Sequence, residues 1–214
     1  MLQLYAIPVS LYSAKTRILL RHKGLMWEEI APPGGYGSDE YKTVVASGNL
    51  PALRDGDLLI GDSEAIAEYL EERHPEPPAL PWDPVARARV RERSRFHDTR
   101  LEPALRTLFP HLPGRPSAPE GFVEARGVEI NARLAQLAAL IGADDTAGLE
   151  LTLAECGFPI TFAWIDALAP IMGFEVRWPD FVTAYRRRID TLAPVAEELD
   201  QYRPRLANFL AAGD

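Results

Sequence analysis

The sequence predicts a small α/β domain followed by an all-helical one, on three observations. Over residues 1–76, short apolar runs of strand length alternate with stretches of helical spacing. A proline-rich stretch, "PEPPALPWDP" from Pro75, then interrupts the chain. Beyond it strand signals nearly vanish and helical periodicity takes over. The 214 residues, 47% apolar and 25% charged, suffice for two small cores and have ordinary globular composition. We expect domains at 1–76 and 84–214, joined by a linker at 77–83.

"LQLYAI" alternates loosely and reads as a strand. "SAKTRILLRHKGL" places Ile18, Leu19 and Leu20 at helical spacing, with Arg21, His22 and Lys23 in the last turn and Gly24 as the stop. "MWEEI" is a second strand, "APPGGYGSDEY" a loop, and "SDEYKTVV" holds at most a short helix. "LPALRDGDLLI" reads as two strands around Asp55-Gly56-Asp57. The helix "DSEAIAEYLEERH" follows, with Ala65, Ile66, Tyr69 and Leu70 on one stripe.

After the linker, Asp83-Pro84 is an N-cap with proline at the first helical position. Val90, Ser94, His97, Leu101, Leu105 and Leu108 then share one face. "PHLPGRPSAPEGF" breaks the pattern before a helix at 122–141. Thr152 and Glu155 form an S/T-x-x-E capping box ahead of a segment apolar on nearly all sides, as a central helix requires. Pro159 should kink or shorten its first part. "WPDFVTAYRRRID" and "APVAEELDQY" read as shorter closing helices.

Four stretches line up with one family. "SLYSAKTRILLRHKGL" is similar to the S-P-F-S and C-P-F-A active-site starts of the cytosolic glutathione transferases. "SGNLPALRDGDLLIGDSEAIAEYLEERHP" resembles their G-x-V-P-x-L-x-D-G…E-S-x-A-I-x-x-Y-L signature. "LPWDPVARARV" is close to the L-P-x-D-P-x-x-R-A that opens their helical domain, and "TLAEC" to their T-x-A-D capping box. The resemblance implies a thioredoxin-like N-terminal domain that binds glutathione. It also implies an all-α C-terminal helical bundle domain that contributes the site for a small hydrophobic electrophile. The start "SLYS" leans toward the serine-type zeta, tau and theta-like groups, although the zeta S-S-C-S run is absent.

Asp62-Ser63, taken alone, is an ordinary helix cap. Within the resemblance it becomes a clamp for the γ-glutamyl zwitterion. Asp62, one methylene shorter than the family's glutamate, would take the ammonium; Ser63 and the free N–H groups of the helix start would take the carboxylate. Pro51 matches the family's cis-proline, which implies that the Leu50 backbone meets the cysteinyl part of glutathione. The resemblance also implies that Asn49 sits where some classes place a polar side chain near the tripeptide backbone.

The reactive group would be the glutathione thiol, whose pKa of ~8.5 leaves little thiolate at neutral pH. A donated hydroxyl proton at a helix N-terminus stabilises the anion; a shift of roughly 2 units corresponds to ~2.7 kcal/mol. Ser10 stands first in the active-site pattern and is the catalytic candidate. Leu11 replaces the family's proline, and Tyr12, Ser13 and Tyr5 compete for the role. Ser13 falls where the helix cap is expected, and Tyr5 inside the first strand. Serine in place of cysteine disfavours mixed-disulfide chemistry, and Cys156, alone in an apolar segment, reads as core.

Electrophile-site candidates are Tyr12, His97, Phe109 and His111, with Phe158 and Phe162 as further possibilities. His97 reads equally as a substrate contact or a satisfied core histidine. Arg17 and Arg93 read as ion-pair residues or solvated charges. A net charge of −8 disfavours nucleic acid and anionic membranes as partners. One cysteine and four scattered histidines offer no metal spacing. No apolar run approaches a membrane span and the N-terminus lacks a signal pattern, so a cytoplasmic protein is expected. The resemblance implies a homodimeric enzyme using glutathione as co-substrate, without metal. The alternatives are a non-catalytic binding or scaffold protein of the same fold and a glutathione-dependent isomerase.

Overall fold

The computed structural model describes residues 1–144 and 147–213. The chain divides into two compact units, Met1–Leu80 and the residues from Pro81 onward.

The first unit runs β1 (Leu2–Tyr5), α1 (Leu11–His22), β2 (Trp27–Ile30), α2 (Asp39–Lys42), β3 (Ala52–Asp55), β4 (Leu58–Ile60) and α3 (Ser63–Arg73). The strands form one sheet in the order β2-β1-β3-β4. β1 pairs with β2 in parallel, while β3 is antiparallel to both β1 and β4. Side chains alternate across a sheet. Tyr5 and Ala52 accordingly join Tyr41, Val45 and Leu50 in a cluster on one face. Leu4 and Leu53, one position along, point to the opposite face and are essentially solvent-free, as are Ile18 and Leu19 of α1 and Ile66 and Leu70 of α3.

The helix starts depart from expectation in an informative way. α1 begins two residues earlier than its periodicity suggests, because Leu11 is buried and Ser10, not Ser13, is the N-cap. Ser10 Oγ accepts the Ser13 N–H at 3.2 Å. On α3 the buried stripe is Ile66, Ala67 and Leu70, with Ala65 turned to solvent.

The second unit holds α4 (Pro84–Phe96), α5 (Glu102–Arg106), α6 (Phe122–Gly142), α7 (Phe158–Met172), α8 (Asp180–Ile189) and α9 (Ala193–Ala212). A π turn, His97–Leu101, joins α4 to α5. The stripe Val90, Ser94, His97, Leu101, Leu105 and Leu108 is buried along its whole length across that turn. The capping box is present, but Glu155 closes a short 3₁₀ turn, Leu153–Cys156, ahead of α7. Pro159 sits in the first turn of α7, where its missing N–H costs nothing. α7 is the centre of this unit, with Phe158 to Ile165 buried continuously. The last helix is longer than expected and reaches Ala212, because Tyr202, Leu206 and Leu210 continue its buried stripe. No helix among the described residues is long and apolar enough to cross a membrane.

Candidate functional site

Strand register brings three loops to one end of the first unit's sheet. Tyr5, the last residue of β1, pairs with Ala52, the first of β3. Ile60, the last of β4, pairs with Leu53. The turn leading to Ser10, the segment Asn49-Leu50-Pro51 and the segment Gly61-Asp62-Ser63 therefore leave the sheet at the same end. Two helices start there, and a helix start presents unpaired N–H groups and partial positive charge.

At the first start, Ser10 is half-buried. Its oxygen is occupied as an acceptor by Ser13 N–H, so its own proton is directed elsewhere. The preceding turn is closed by Ser10 N–H donating to Ile7 O at 3.1 Å. Ser13 is fully buried, and its hydroxyl has no hydrogen-bond partner among the described residues. Tyr12 is part-exposed. Tyr5 packs at 5.8 Å against the Tyr41 ring inside the sheet's apolar cluster.

The Leu50–Pro51 bond is cis. Tyr41 anchors this segment from beneath by donating its hydroxyl to Asn49 O at 3.1 Å. Burial, with Tyr5 adding to it, pushes the Tyr41 phenol up to about 12, so it stays a neutral donor. Leu50 and Pro51 are buried while Asn49 is exposed.

At the second start, Asp62 is the N-cap. Its Oδ1 accepts the N–H groups of Glu64 at 3.0 Å and Ala65 at 2.9 Å. The side chain is exposed, and Ser63 beside it is buried as the first residue of α3. The cap occupies one carboxylate oxygen, and the other stands outside those two bonds.

The same end of the sheet thus gathers both donors and acceptors. They comprise a serine hydroxyl at one helix start, an acid and a serine at the other, and a cis-proline segment between them. Sequence reasoning missed the supports behind these groups. Lys15 on α1 pairs with Glu64 on α3 at 2.7 Å, and Lys23 pairs with Glu71. A lysine on the buried side of α1 was the available signal.

The electrophile-site candidates of the second unit separate. His97 is a core histidine and not a wall of an open site. Its Nε2 lies 2.7 Å from Thr161 Oγ1, its Nδ1 2.7 Å from Asp98 Oδ1, and its ring meets Phe158 edge-on. Phe158 and Phe162 are likewise fully buried. Phe109 and His111 lie on a part-exposed 3₁₀ turn. Phe109 stacks on Trp164 with ring centres 4.6 Å apart, and His111 Nδ1 lies 2.9 Å from Pro116 O. Arg93 is buried and pairs with Asp144 and Glu155; Arg17 is buried near Glu29 and donates to Pro8 O.

Residues 4–78 match the family model for the glutathione S-transferase N-terminal domain. A stringent starvation protein A homolog from Coxiella burnetii is 36% identical over 104 residues, which are 46% of this chain and 50% of that protein. Glutathione S-transferase Z1 from Arabidopsis thaliana is 42% identical over 90 residues, 41% of each chain. A maleylacetoacetate isomerase from Pseudomonas aeruginosa is 40% identical over 97 residues, 42% of this chain and 45% of that one. The chain thus spans about half the length, or somewhat less, of the curated relatives it matches. Among solved structures, a bacterial zeta-class maleyl pyruvate isomerase in its holo form superposes with a TM-score of 0.75 at 25% identity, covering 94% of this chain and 98% of that one. A delta-class glutathione transferase from Nilaparvata lugens gives 0.81 at 19% identity over 100% of both chains, a likeness of fold. The N-terminal unit is thus matched by the glutathione S-transferase N-terminal domain model, and the chain as a whole shares the fold of solved glutathione transferases.

Proposed function

We propose that this chain is a glutathione transferase that binds glutathione on its first unit and directs the thiolate at a small hydrophobic electrophile. One observation carries the reading: Ser10 and Asp62-Ser63 cap two helices that start at the same end of one sheet, beside the cis Leu50–Pro51 bond. In this reading Ser10 donates its free proton to the sulfur and lowers the thiol pKa. Asp62 pairs with the glutamyl ammonium. Ser63 and the N–H groups of α3 hold the glutamyl carboxylate, and the Leu50 backbone holds the cysteinyl residue. Asn49 contacts the tripeptide backbone. The family's two-fold homodimer belongs to the same proposal, and sedimentation of the purified chain tests it.

A second reading, glutathione-dependent isomerisation, is favoured by two relatives whose names are isomerases, one aligned over nearly the whole chain. It uses the same thiolate and returns glutathione unchanged.

Ser10→Ala is the central test. We expect loss of the thiolate absorbance of bound glutathione at neutral pH, with turnover of an aryl halide falling roughly 10²-fold, in keeping with ~2.7 kcal/mol of thiolate stabilisation. Unchanged absorbance and turnover would remove Ser10 from the mechanism. A panel including a cis-enone acid separates isomerase from transferase, and a wild-type chain that fails to bind glutathione removes both.

A further inference from the structure

β1 and β4 run in the same direction, since each is antiparallel to β3. The helices that follow them, α1 and α3, consequently run parallel, and they pack against each other. Two buried ion pairs cross their interface. Lys15 Nζ meets Glu64 Oε2 at 2.7 Å near the ends that carry Ser10 and Asp62. Lys23 pairs with Glu71 at the far ends and also donates to Pro77 O at 2.8 Å.

Lys23 lies eight positions beyond Lys15, and Glu71 seven beyond Glu64. At ~1.5 Å per residue these spans are about 12 and 10.5 Å of helix, close enough to match rung for rung. The two pairs therefore fix the axial register of α1 against α3. The far pair also anchors the chain after α3, because Glu71 accepts the backbone N–H groups of Ala79 and Leu80. The near pair ties the second turn of α1 to the first turn of α3.

A buried lysine opposite a glutamate is a demanding way to join two helices. Lys15 is 2% exposed and the Glu64 side chain 12%. Desolvation of both charges offsets much of their attraction, so an apolar pair would serve stability as well. What the ion pair adds is a fixed distance and direction between its backbones.

We propose that Lys15 and Glu64 are positioning residues that set the spacing between the two helix starts, and that this spacing selects a γ-linked glutamyl tripeptide. The inference rests on the reading of the first unit as a glutathione site. A γ linkage keeps the ammonium and carboxylate on one carbon and sets them two methylenes from the amide to cysteine, whereas an α linkage consumes the α-carboxyl and leaves the ammonium next to that amide. A fixed separation between Ser10 and Asp62-Ser63 distinguishes those lengths, and a small misplacement at such a site is costly.

The test compares γ-Glu-Cys-Gly with α-Glu-Cys-Gly as competing ligands on Lys15→Met, Lys15→Arg and Glu64→Gln, each checked for folding by circular dichroism. For Lys15→Met we expect Kd for the γ-linked peptide to rise roughly tenfold. The γ-over-α preference should narrow by a similar factor, with kcat at saturating glutathione nearly unchanged. Lys15→Arg, which can keep the pair, should bind nearly as the wild type does. A folded Lys15→Met with wild-type affinity overturns the proposal, as does Lys15→Arg binding as weakly as Lys15→Met. Equal weakening of both peptides also overturns it, since that marks a direct charge contact. If Lys15→Met does not fold, Glu64→Gln is read by the same criteria. Failure of the wild type to bind glutathione defeats the underlying reading instead, and is scored separately.

Discussion

Asp62 has two claims on its carboxylate, and substitution separates them. Its Oδ1 accepts two N–H groups of α3, a cap whose loss to alanine typically costs ~1 kcal/mol. Attraction to an ammonium needs the negative charge as well. Asp62→Asn keeps the cap and loses the charge, whereas Asp62→Ala loses both. We expect Asp62→Asn to hold its unfolding midpoint close to wild type while glutathione Kd rises roughly tenfold, about the worth of one charge-assisted bond. An asparagine variant with unaltered Kd would leave Asp62 as a cap alone. Asp62, Ser63, Ser10 and Pro51 stood out in the sequence through the family resemblance, and each lies at a turn or a helix start. Lys15 and Glu64 did not. Lys15 stands on the buried side of α1, which signals a partner, but no local pattern encodes that the partner is Glu64. His97 was left open for the same reason, since its hydrogen-bond partner Thr161 lies 64 residues away.

At the scale of elements, most starts and types were legible and several extents were not. The strands, the Asp83-Pro84 start and the buried stripe from Val90 to Leu108 follow from periodicity and capping chemistry. The early start of α1 follows from the burial of Leu11, and the length of α9 from packing against the central helix, where Trp164 Nε1–H donates to Tyr202 Oη at 2.6 Å. Pro204 within α9 is tolerated in that setting, although isolated propensity argues against it. The loop between α2 and β3 has its own support. Tyr41, fully buried, donates to Asn49 O and fixes the approach to Pro51. Tyr41→Phe keeps the ring in the Tyr5 cluster and leaves that carbonyl without its donor, at a cost of ~1 kcal/mol. We expect a lower midpoint in urea and faster proteolysis within 43–50, with the helical unit unaffected. Cleavage elsewhere, or none, would mean that the loop is held by other contacts.

Across the molecule as a whole, the most demanding feature lies in the second unit, around Glu155. Its carboxylate is fully buried, accepts Thr152 N–H at 3.0 Å and the Tyr185 hydroxyl at 2.9 Å, and faces Arg93 at 3.7 Å. Arg93 in turn pairs with Asp144. Three stretches thus meet at one acid, α4, the 3₁₀ turn with its cap and α8, and Arg93 links it to a fourth, the segment after α6. Burial pushes the Glu155 carboxyl above its usual 4.5, against the opposing pull of Arg93 and the hydrogen bonds from Thr152 and Tyr185. Burial, with the neighbouring Glu155 charge, also lifts the Tyr185 phenol well above its ordinary value, so it remains a donor. An acid whose pKa is raised on folding binds its proton more tightly in the folded state. Its contribution is complete below the unfolded value near 4.5 and is lost as pH rises through the folded one. Glu155→Gln keeps an acceptor for Thr152 and Tyr185 but cannot titrate. The stability of wild type relative to Glu155→Gln should therefore fall as pH rises above 4.5. Its slope can reach at most ~1.4 kcal/mol per pH unit for one proton. Taking the difference cancels the titration of the other acids on this net-negative chain, so urea unfolding of both proteins across that range isolates the one group. Parallel curves would place the Glu155 carboxyl at its ordinary value and make Arg93 a full compensation for its burial.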